Sequence, residues 1–476
     1  MLAAVSTHDK ALQLNMDAAK YGTFAEIGAG QEVARWFFRV GGAAGTVAKT
    51  ISAYDMAVSD VVYGHATRYV SRARLEAMLQ CETDALLEQL GAGRGDKSTF
   101  FVFADTVATR SYSRHDDGEG WLGIRFQTAE RGSFSEVMIH VHLLDKDPAR
   151  EQEALGVLGV NVIHGAFFHH QEPTVLIRSL MDGLTRDRIE LDMIKLSGPA
   201  FAGVDNRLMT LLLVEQGFTD AAMFTAEGEV VQPSEVLYKK HVLVERGSFR
   251  PVTNLTIDLL DGARRQFLEE PDVRGEEPVV LLEMTLRHFA SEEGVDHADF
   301  LERVDILRTL GHHVMISNSR RYFRFVEFLS RYTQQRIGIA LGVPSLSDLA
   351  EERDYADLAG GLLEAVARLF KNGVKVYAYP WKDPVSGRIV SADILEHDYP
   401  LQHLYRFLLD SHRVEPIRHY SADFLDIRPR EVLAMIQSGD PSWEAMVPPA
   451  IVEIIKARCL FGHRPAPGGA RTRAGS

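Results

Sequence analysis

The sequence has little cysteine and no long apolar run. Its 476 residues contain two cysteines, Cys81 and Cys459, far apart and without a CxxC spacing, so neither a disulfide framework nor a cysteine zinc site is predicted. No apolar run approaches the roughly 18 residues that a membrane-spanning helix needs. The first twenty residues show no basic region leading into an apolar one. We therefore expect a cytoplasmic protein with no membrane partner.

Positive charge is also scarce. Lys and Arg number 52 against 66 Asp and Glu, which gives a net charge of −14. Because nucleic acid and anionic membranes bind basic surfaces, this balance argues against both as partners. Hydrophobic residues at 46% and charged residues at 25% are typical of a globular chain and exclude a disordered or fibrous one.

The hydrophobic pattern predicts four segments. Residues 1–150 are predicted to form an α+β domain with a glycine-rich segment and strands at Thr99–Ala108, Gly120–Gln127 and Ser135–Leu143. Residues 151–385 are predicted to form a β/α domain, 386–462 a helical extension and 463–476 a disordered tail.

The fold class predicted for the second segment is α/β, with a (β/α)₈ barrel-like parallel sheet. Short β-branched runs alternate there with amphipathic helices, and each parallel connection needs such a crossover. An open doubly wound sheet is the alternative. The predicted strands are 159–163, 189–196, 220–224, 241–245, 278–284, 313–317, 337–341 and 374–379.

Basic and hydroxyl residues follow several of these strands, at the ends where the active site of a parallel barrel lies. Arginine forks, hydroxyls and glycine turns at helix N-termini suit an anionic, phosphorylated ligand. The alternative is that the polar residues cap helices and the arginines cover surface. The predicted contacts are Ser248, Arg250, Thr253, Ser317, Asn318, Arg320, Asn206 and Arg207.

Three ionisable residues near strand ends are the predicted catalytic set. Glu283, Glu245 and Lys195 are placed to transfer protons across a barrel mouth, for which a structural salt bridge is the alternative. No metal site is predicted. His140 and His142 share a strand face, but no carboxylate stands at a recognisable ligand spacing. Mg²⁺ is expected only together with a bound nucleotide.

The glycine-rich segment is predicted to close over the same site as a lid. Its glycines permit close backbone approach to a ligand, and Glu26, Arg35 and Lys49 are its candidate contacts. The alternative is that the glycines let helices pack tightly.

Two motif-like stretches are rejected. GGAAGTVAKT (Gly41–Thr50) lacks the Gly-Lys pair of a phosphate loop. TLGH (Thr309–His312) has the form TxGH, the signature that adenylyltransferases carry just after their first strand, but here it precedes the sixth predicted strand.

Long blocks of the chain resemble one bacterial family. They include YGTFAEIGAGQEVARWFFRVGGAAGTVAKTISAYD (Tyr21–Asp55), LGVLGVNVIHGAFF (Leu155–Phe168), SGPAFAGVDNRLM (Ser197–Met209) and YKKHVLVERGSFRPVT (Tyr238–Thr253). Family members carry two names, nicotinate-nucleotide adenylyltransferase and TonB-dependent receptor. The receptor name needs a signal peptide and alternating membrane strands, which this sequence lacks. The resemblance implies no catalytic residues.

Two functions follow as hypotheses. The first is a cytosolic enzyme acting on a phosphorylated or nucleotide-like small molecule, with nicotinate-nucleotide or phosphoribosyl transfer implied by the family name and by the architecture. The second is a non-catalytic ligand sensor or scaffold. A homo-oligomer stays open.

Overall fold

The chain divides into two compact units, Met1–Ala222 and Met223–Ser476. The computed structural model describes residues 5–110, 117–291, 294–349, 351–399 and 401–464. The predicted boundary near residue 150 falls inside the first unit. The chain beyond residue 150 adds one strand to the first sheet and further helices to the first unit. The predicted disordered tail falls largely outside the described residues.

The first unit is built on one six-stranded sheet. Its helices are α1 (Thr7–Asn15), α2 (Glu32–Val40), α3 (Met56–Tyr63), α4 (Arg72–Arg94), α5 (Pro148–Phe168), α6 (Pro173–Ser179) and α7 (Asn206–Glu215). Its strands are β1 (Lys20–Ile27), β2 (Val47–Ile51), β3 (Thr99–Ala108), β4 (Gly118–Gln127), β5 (Phe134–Leu143) and β6 (Ile189–Ser197). The order is β2-β1-β3-β4-β5-β6, parallel across the first three and antiparallel from β3 onward. The three strands predicted in this domain are confirmed.

Helix α5 overturns the first predicted barrel strand. Residues 159–163 lie in this helix, and each residue from Ala154 to Ala166 is buried. A helix buried all round carries a continuous apolar run, which periodicity alone does not distinguish from a buried strand. The second predicted strand is present as β6, but it pairs antiparallel with β5 in the first sheet.

Strand β6 contains a bulge. Ile189 and Leu191 point into the core of the unit, and beyond Asp192 and Met193 the core residues are Ile194 and Leu196. The register with β5 shifts between His140 and Val141, which pair with Met193 and Leu191. One extra residue in a strand produces such a change of phase.

The second unit contains a doubly wound sheet. Its helices are α8 (Pro233–Leu237), α9 (Asn254–Phe267), α10 (His297–Arg308), α11 (Tyr322–Leu329), α12 (Val343–Asp348), α13 (Gly361–Leu369), α14 (Leu401–Asp410), α15 (Pro429–Ser438) and α16 (Pro449–Arg458). Its strands are β7 (Ala221–Phe224), β8 (Val230–Val231), β9 (Val242–Arg246), β10 (Val279–Thr285), β11 (Ala290–Ser291), β12 (Gly294–Val295), β13 (His313–Ser317), β14 (Ile337–Gly342), β15 (Lys375–Tyr379), β16 (Trp381–Lys382), β17 (Ile389–Val390) and β18 (Val414–Pro416).

The order of this sheet is β18-β15-β14-β9-β10-β13-β7-β8, and the six strands from β18 to β13 are parallel. Numbered along the chain from β9, these six strands have the order 3-2-1-4-5-6 of a dinucleotide-binding sheet. Six predicted strands of the second segment are confirmed by β7, β9, β10, β13, β14 and β15. The sheet is open among the described residues, so the predicted barrel is not confirmed. Of its eight predicted strands, 159–163 is helical and 189–196 belongs to the first sheet.

The outer strands of this sheet are short. Strand β8 has two residues and returns antiparallel on β7, and β18 has three residues and ends at Pro416. Among the described residues no helix is long and apolar enough to cross a membrane.

Candidate functional site

The strand order of the second unit defines a switch point between β9 and β14. The chain leaves β9 toward β10 on one side and leaves β14 toward β15 on the other, so a crevice forms at their carboxyl ends, where doubly wound sheets bind ligands. The loop that follows β9 is GSFRPVT, residues 247–253, and it leads into α9. The sequence predicted this loop as the best phosphate contact, although it assigned the loop to a barrel.

The 247–253 loop has a strained backbone. Phe249 has φ +48°, a left-handed conformation that costs an ordinary residue about 1–3 kcal/mol, and its side chain is buried. The Gly247 amide donates to the Glu283 carbonyl at 3.0 Å. Thr253 caps α9, since its hydroxyl accepts from the Thr256 amide at 3.4 Å. The strand, the strained turn and the cap together fix where the loop presents its polar groups.

A buried ion pair on α10, between Arg303 and Asp299, contacts this loop. The Arg303 guanidinium donates to the carbonyls of Ser248 at 2.8 Å and His288 at 3.0 Å, and it pairs with Asp299. Arg250 contacts the same carboxylate, Nε to Oδ1, at 3.1 Å. Ser248 and Arg250, both predicted from sequence, are therefore positioned by a pair on α10 that the sequence interpretation missed. An i, i+4 acid and base on a helix was the available signal.

A second cluster joins the ends of three neighbouring strands. Arg246 Nε contacts a Glu283 oxygen at 2.5 Å, and the Ser317 hydroxyl donates to the other Glu283 oxygen at 2.5 Å. Arg246 Nη1 donates to the Arg320 carbonyl at 3.2 Å, and its guanidinium lies 4.5 Å from the centre of the Tyr322 ring. Three predicted site residues thus come together around Arg246, which the sequence interpretation left out of the site.

Glu245 does not join this cluster. Neighbouring residues of a strand point to opposite faces, so Glu245 faces away from the side chain of Arg246. Its carboxyl group is buried, and burial raises its pKa well above the ordinary range. Its Oε2 has no hydrogen-bond partner among the described residues. Burial thus favours the protonated form of Glu245, which lies one residue from the end of β9.

A polar pocket of about 220 Å³ opens at the same edge of the sheet. Arg320 lines it and pairs with Asp354 at 3.2 Å, and Arg321 pairs with Asp357 at 2.5 Å. Asn318 is exposed beside it. The rejected TLGH stretch lies at the opposite edge, because it leads into the amino end of β13.

Three predicted residues lie instead in the first unit. Lys195 is on β6, which pairs antiparallel with β5 in the first sheet. Asn206 holds the backbone of Leu196, accepting from its amide at 2.7 Å and donating to its carbonyl at 2.9 Å. Arg207 pairs with Asp205 at 2.6 Å. None of the three follows a strand of the parallel sheet, and a role for them in ligand binding stays a prediction.

The glycine-rich segment contains a buried acid pair. Glu26 on β1 accepts from the amides of Val33 and Ala34, each at 2.9 Å, and burial raises its pKa to about 7. Its register partner Asp105 is fully buried, and burial followed by the charge of Glu26 raises the pKa of Asp105 well above its ordinary value. Gly28 has φ +100°, and a Cβ there would lie 1.7 Å from a backbone oxygen of β3. Close packing against β3 therefore explains the glycine at position 28, in agreement with the alternative that the glycines of this segment permit tight packing.

The other two predicted contacts of this segment lie apart from Glu26. Arg35 is 68% exposed, pairs with Glu32 at 3.1 Å and lines a groove of about 350 Å³ between α2 and α5. Lys49 pairs with buried Glu82 at 2.5 Å. The lid stays a prediction.

Similarity to known proteins is confined to solved structures. No family model matches the chain, and no curated protein matches it. The competence/damage inducible protein CihA of Agrobacterium tumefaciens is 15% identical, with 34% of this chain and 97% of that chain covered and a TM-score of 0.25. A Klebsiella pneumoniae competence damage-inducible protein A is 13% identical, with coverages of 35% and 99% and a TM-score of 0.27.

A Plasmodium falciparum nicotinic acid mononucleotide adenylyltransferase is 12% identical, with 47% of this chain and 98% of that chain covered and a TM-score of 0.28. At these low TM-scores the likenesses carry no argument. The architecture rests on the strand order and register of the chain itself.

Proposed function

We propose that the second unit binds a nucleotide by its phosphates at the switch point and transfers a nucleotidyl group to a phosphorylated acceptor. The observation that carries the proposal is the position of the 247–253 loop. It follows the first strand of a 3-2-1-4-5-6 sheet and enters a fourteen-residue helix, which is where such sheets hold phosphates.

The residues of the loop suit this task. The hydroxyl of Ser248 and the N-terminus of α9 offer donors to phosphate oxygens, and Arg250 and Arg320 offer guanidinium groups. Glu283 would hold Arg246 in place rather than move protons, since both of its oxygens are already engaged. Mg²⁺ would be held mainly by phosphate oxygens and water, because Glu283 and Asp299 are both paired with arginine.

The finer proposal is adenylyl transfer to a nicotinate-nucleotide-like acceptor. The resemblance noted in the sequence carries that name, and adenylyltransferases carry TxGH just after their first strand. In this sheet the first strand is followed by the 247–253 loop, and α9 begins with the sequence TNLT, Thr253–Thr256, which lacks the glycine and histidine of TxGH. Phosphoribosyl transfer is not proposed, because its support was the barrel.

Ligand sensing without turnover is the second candidate. The observation in its favour is that the arginines at this edge are already paired with carboxylates of the chain, as in the pairs of Arg320 with Asp354 and Arg321 with Asp357. A bound phosphate must then compete with these carboxylates for the arginines, which suits a reversible switch as well as an enzyme.

The test uses the full chain with ATP, nicotinate mononucleotide and Mg²⁺. Calorimetry measures binding of each nucleotide, and pyrophosphate release measures transfer. The proposal expects binding and release, both reduced in Arg250→Ala and unchanged in Arg274→Ala. Arg274 is an exposed arginine at the amino end of β10, the opposite edge of the sheet. Binding without release identifies a sensor, and absence of binding overturns both candidates.

A further inference from the structure

Two histidines and one aspartate converge on the sheet of the first unit. His140 Nδ1 lies 2.6 Å from Asp192 Oδ1, and His142 Nε2 lies 3.1 Å from Asp192 Oδ2. One ligand atom from each of the three residues lies within 4.8 Å of the other two. We name these residues the His-Asp-His cluster. It shares no residue with the proposed nucleotide site.

The backbone explains why these side chains meet. His140 and His142 stand two residues apart on β5 and therefore point to the same face, opposite the core residues Ile139 and Val141. On β6 the bulge changes the phase, so that Asp192 and Met193 both leave the core face. Bulges re-aim side chains and are frequent beside functional sites. Here the bulge delivers a carboxylate to two imidazoles.

The cluster is sheltered, and its carboxylate is buried. Asp192 and His140 are buried, the ring of Trp121 lies 4.8 Å from that of His140, and 16% of the side chain of His142 is exposed. Glu119 and Glu190 are the register partners of His142 on the two flanking strands, and they pair with Arg68 at 2.7 Å and with Arg186 at 2.8 Å. The buried charge of Asp192 is therefore left to the two imidazoles, or to a cation bound between them, to balance.

We propose that the His-Asp-His cluster binds one divalent transition metal ion of the Zn²⁺ type. Two imidazole nitrogens and a carboxylate are the donor set of three-ligand zinc sites, which keep a further position for water or a substrate oxygen. Zinc takes nitrogen and oxygen ligands at about 2.0–2.2 Å. The candidate ligand atoms lie within 4.8 Å of one another, and Asp192 now contacts both imidazoles directly, so the ion would take the place of these two contacts. Glu119, which pairs with Arg68 at 2.7 Å, is the register partner of His142 and would act as a positioning residue beside it.

The first test is metal binding by the chelator-stripped full chain. Zn²⁺ is titrated by calorimetry, and Co²⁺ is titrated by its visible absorption, which reports coordination number. One tight equivalent with a low-coordinate cobalt spectrum is expected, and both are lost in His142→Ala and Asp192→Asn. The matched control is His65→Ala, which removes an exposed imidazole 3.1 Å from Asp60 in the same unit. It should keep the full equivalent.

The second test guards against a variant that does not fold. Zn²⁺ should raise the melting temperature of the wild type by mass action and leave that of His142→Ala unchanged. Glu119→Gln keeps all three ligands and should weaken zinc binding by about 10–100-fold, as loss of a group that orients ligands does. Weak zinc binding of equal strength in all variants overturns the proposal. Nucleotide binding by the second unit is measured in parallel, and its failure would leave this result unaffected.

Discussion

The two units place their charged groups in different parts of their sheets. In the first unit the unusual groups sit on strand faces, where Glu26 meets Asp105 and Asp192 meets two histidines. In the second unit they stand at strand ends and in the following loops, around Arg246 and Arg303. The functional residues of a loop can be recognised from its local composition. Residues that meet across a sheet cannot, because their contact depends on the register between two strands that are distant in the sequence. The difference explains why sequence analysis found the loops that follow the strands but did not find Asp105 and Asp192, which reach their partners through strand pairing.

The largest expected effect is on the support of the switch-point loop. Arg303→Met leaves Asp299 without its main buried partner and two carbonyls without a donor. Breaking a buried ion pair in this way costs about 3–5 kcal/mol. Urea unfolding combined with hydrogen exchange should show the loss in residues 223–464 and none in the first unit. Arg308→Met, on the same helix but 36% exposed, should change stability by about 0–1 kcal/mol. Equal effects of the two variants would remove the distinction between buried support and surface pairing.

Ligand affinity at the two strand ends is next in size. Arg250→Ala and Arg320→Ala should each weaken a phosphorylated ligand by about 1.5–3 kcal/mol, the value of a hydrogen bond to a charged group. Calorimetry with ATP measures the change. The two residues follow β9 and β13, whose carboxyl ends share one edge, so similar losses are expected. An effect of only one variant would separate the 247–253 loop from the polar pocket.

The pH dependence of stability probes the acid pair of the first unit. The pKa of Glu26 is raised by burial to about 7, so the folded state binds more protons than the unfolded state between the ordinary value of 4.5 and 7. Stability should therefore fall as pH rises through this window. The pKa of Asp105 is raised as well, so Asp105 contributes to the same fall. Asp105→Asn keeps an acceptor for Ile27 and removes that contribution, so the fall should be smaller.

One unit of pKa shift corresponds to about 1.4 kcal/mol, which sets the scale of the expected rise in the free energy of unfolding of Asp105→Asn at pH 8. Denaturant titrations from pH 4 to 9 give the profile. Asp84→Asn removes an exposed carboxylate from the same unit and should leave the profile unchanged. A wild-type stability profile that is flat between pH 4.5 and 7 would contradict the raised pKa of Glu26.

The smallest expected effect is the loss of stability when the N-cap residue of one helix in each unit is replaced. The hydroxyl of Ser71 caps α4 and that of Thr253 caps α9. Alanine at either position should cost about 1 kcal/mol of stability. Only Thr253→Ala should also weaken nucleotide binding, because only that cap lies at the switch point. Loss of binding in Ser71→Ala would mean that the caps act through stability alone.

Sequence analysis found much of the second unit. Seven of the eight predicted strands are present, six of them in the second sheet, and GSFRPVT and SNSRR both follow strands of the parallel sheet. The topology was not predictable, because a barrel and an open sheet share the same alternation of strands and helices. Arg246 was overlooked since nothing in its own segment shows that Glu283 pairs beside it.

The first unit shows the limits of spacing rules. His140 and His142 were considered for a metal, and no carboxylate was found near them in the sequence. Asp192 lies fifty residues away and reaches them through a strand pairing. The phase change from Ile189 and Leu191 to Ile194 and Leu196 was visible as a sign of a bulge. The sequence did not show which strand would pair with the bulged one, and so it did not show that Asp192 would lie beside the two histidines.

The short outer strands of the second sheet bear on how the protein behaves at high concentration. An unpaired strand edge is a template for a strand from another chain, and aggregation often begins there. Strand β7 covers the edge of β13, and the edge that remains on β8 is only two residues long. On the other side Pro416 lacks an amide proton to donate at the end of β18. Among the described residues, this sheet of eight strands therefore offers only two short edges to a strand from another chain, whereas the first sheet ends in the nine-residue strand β6.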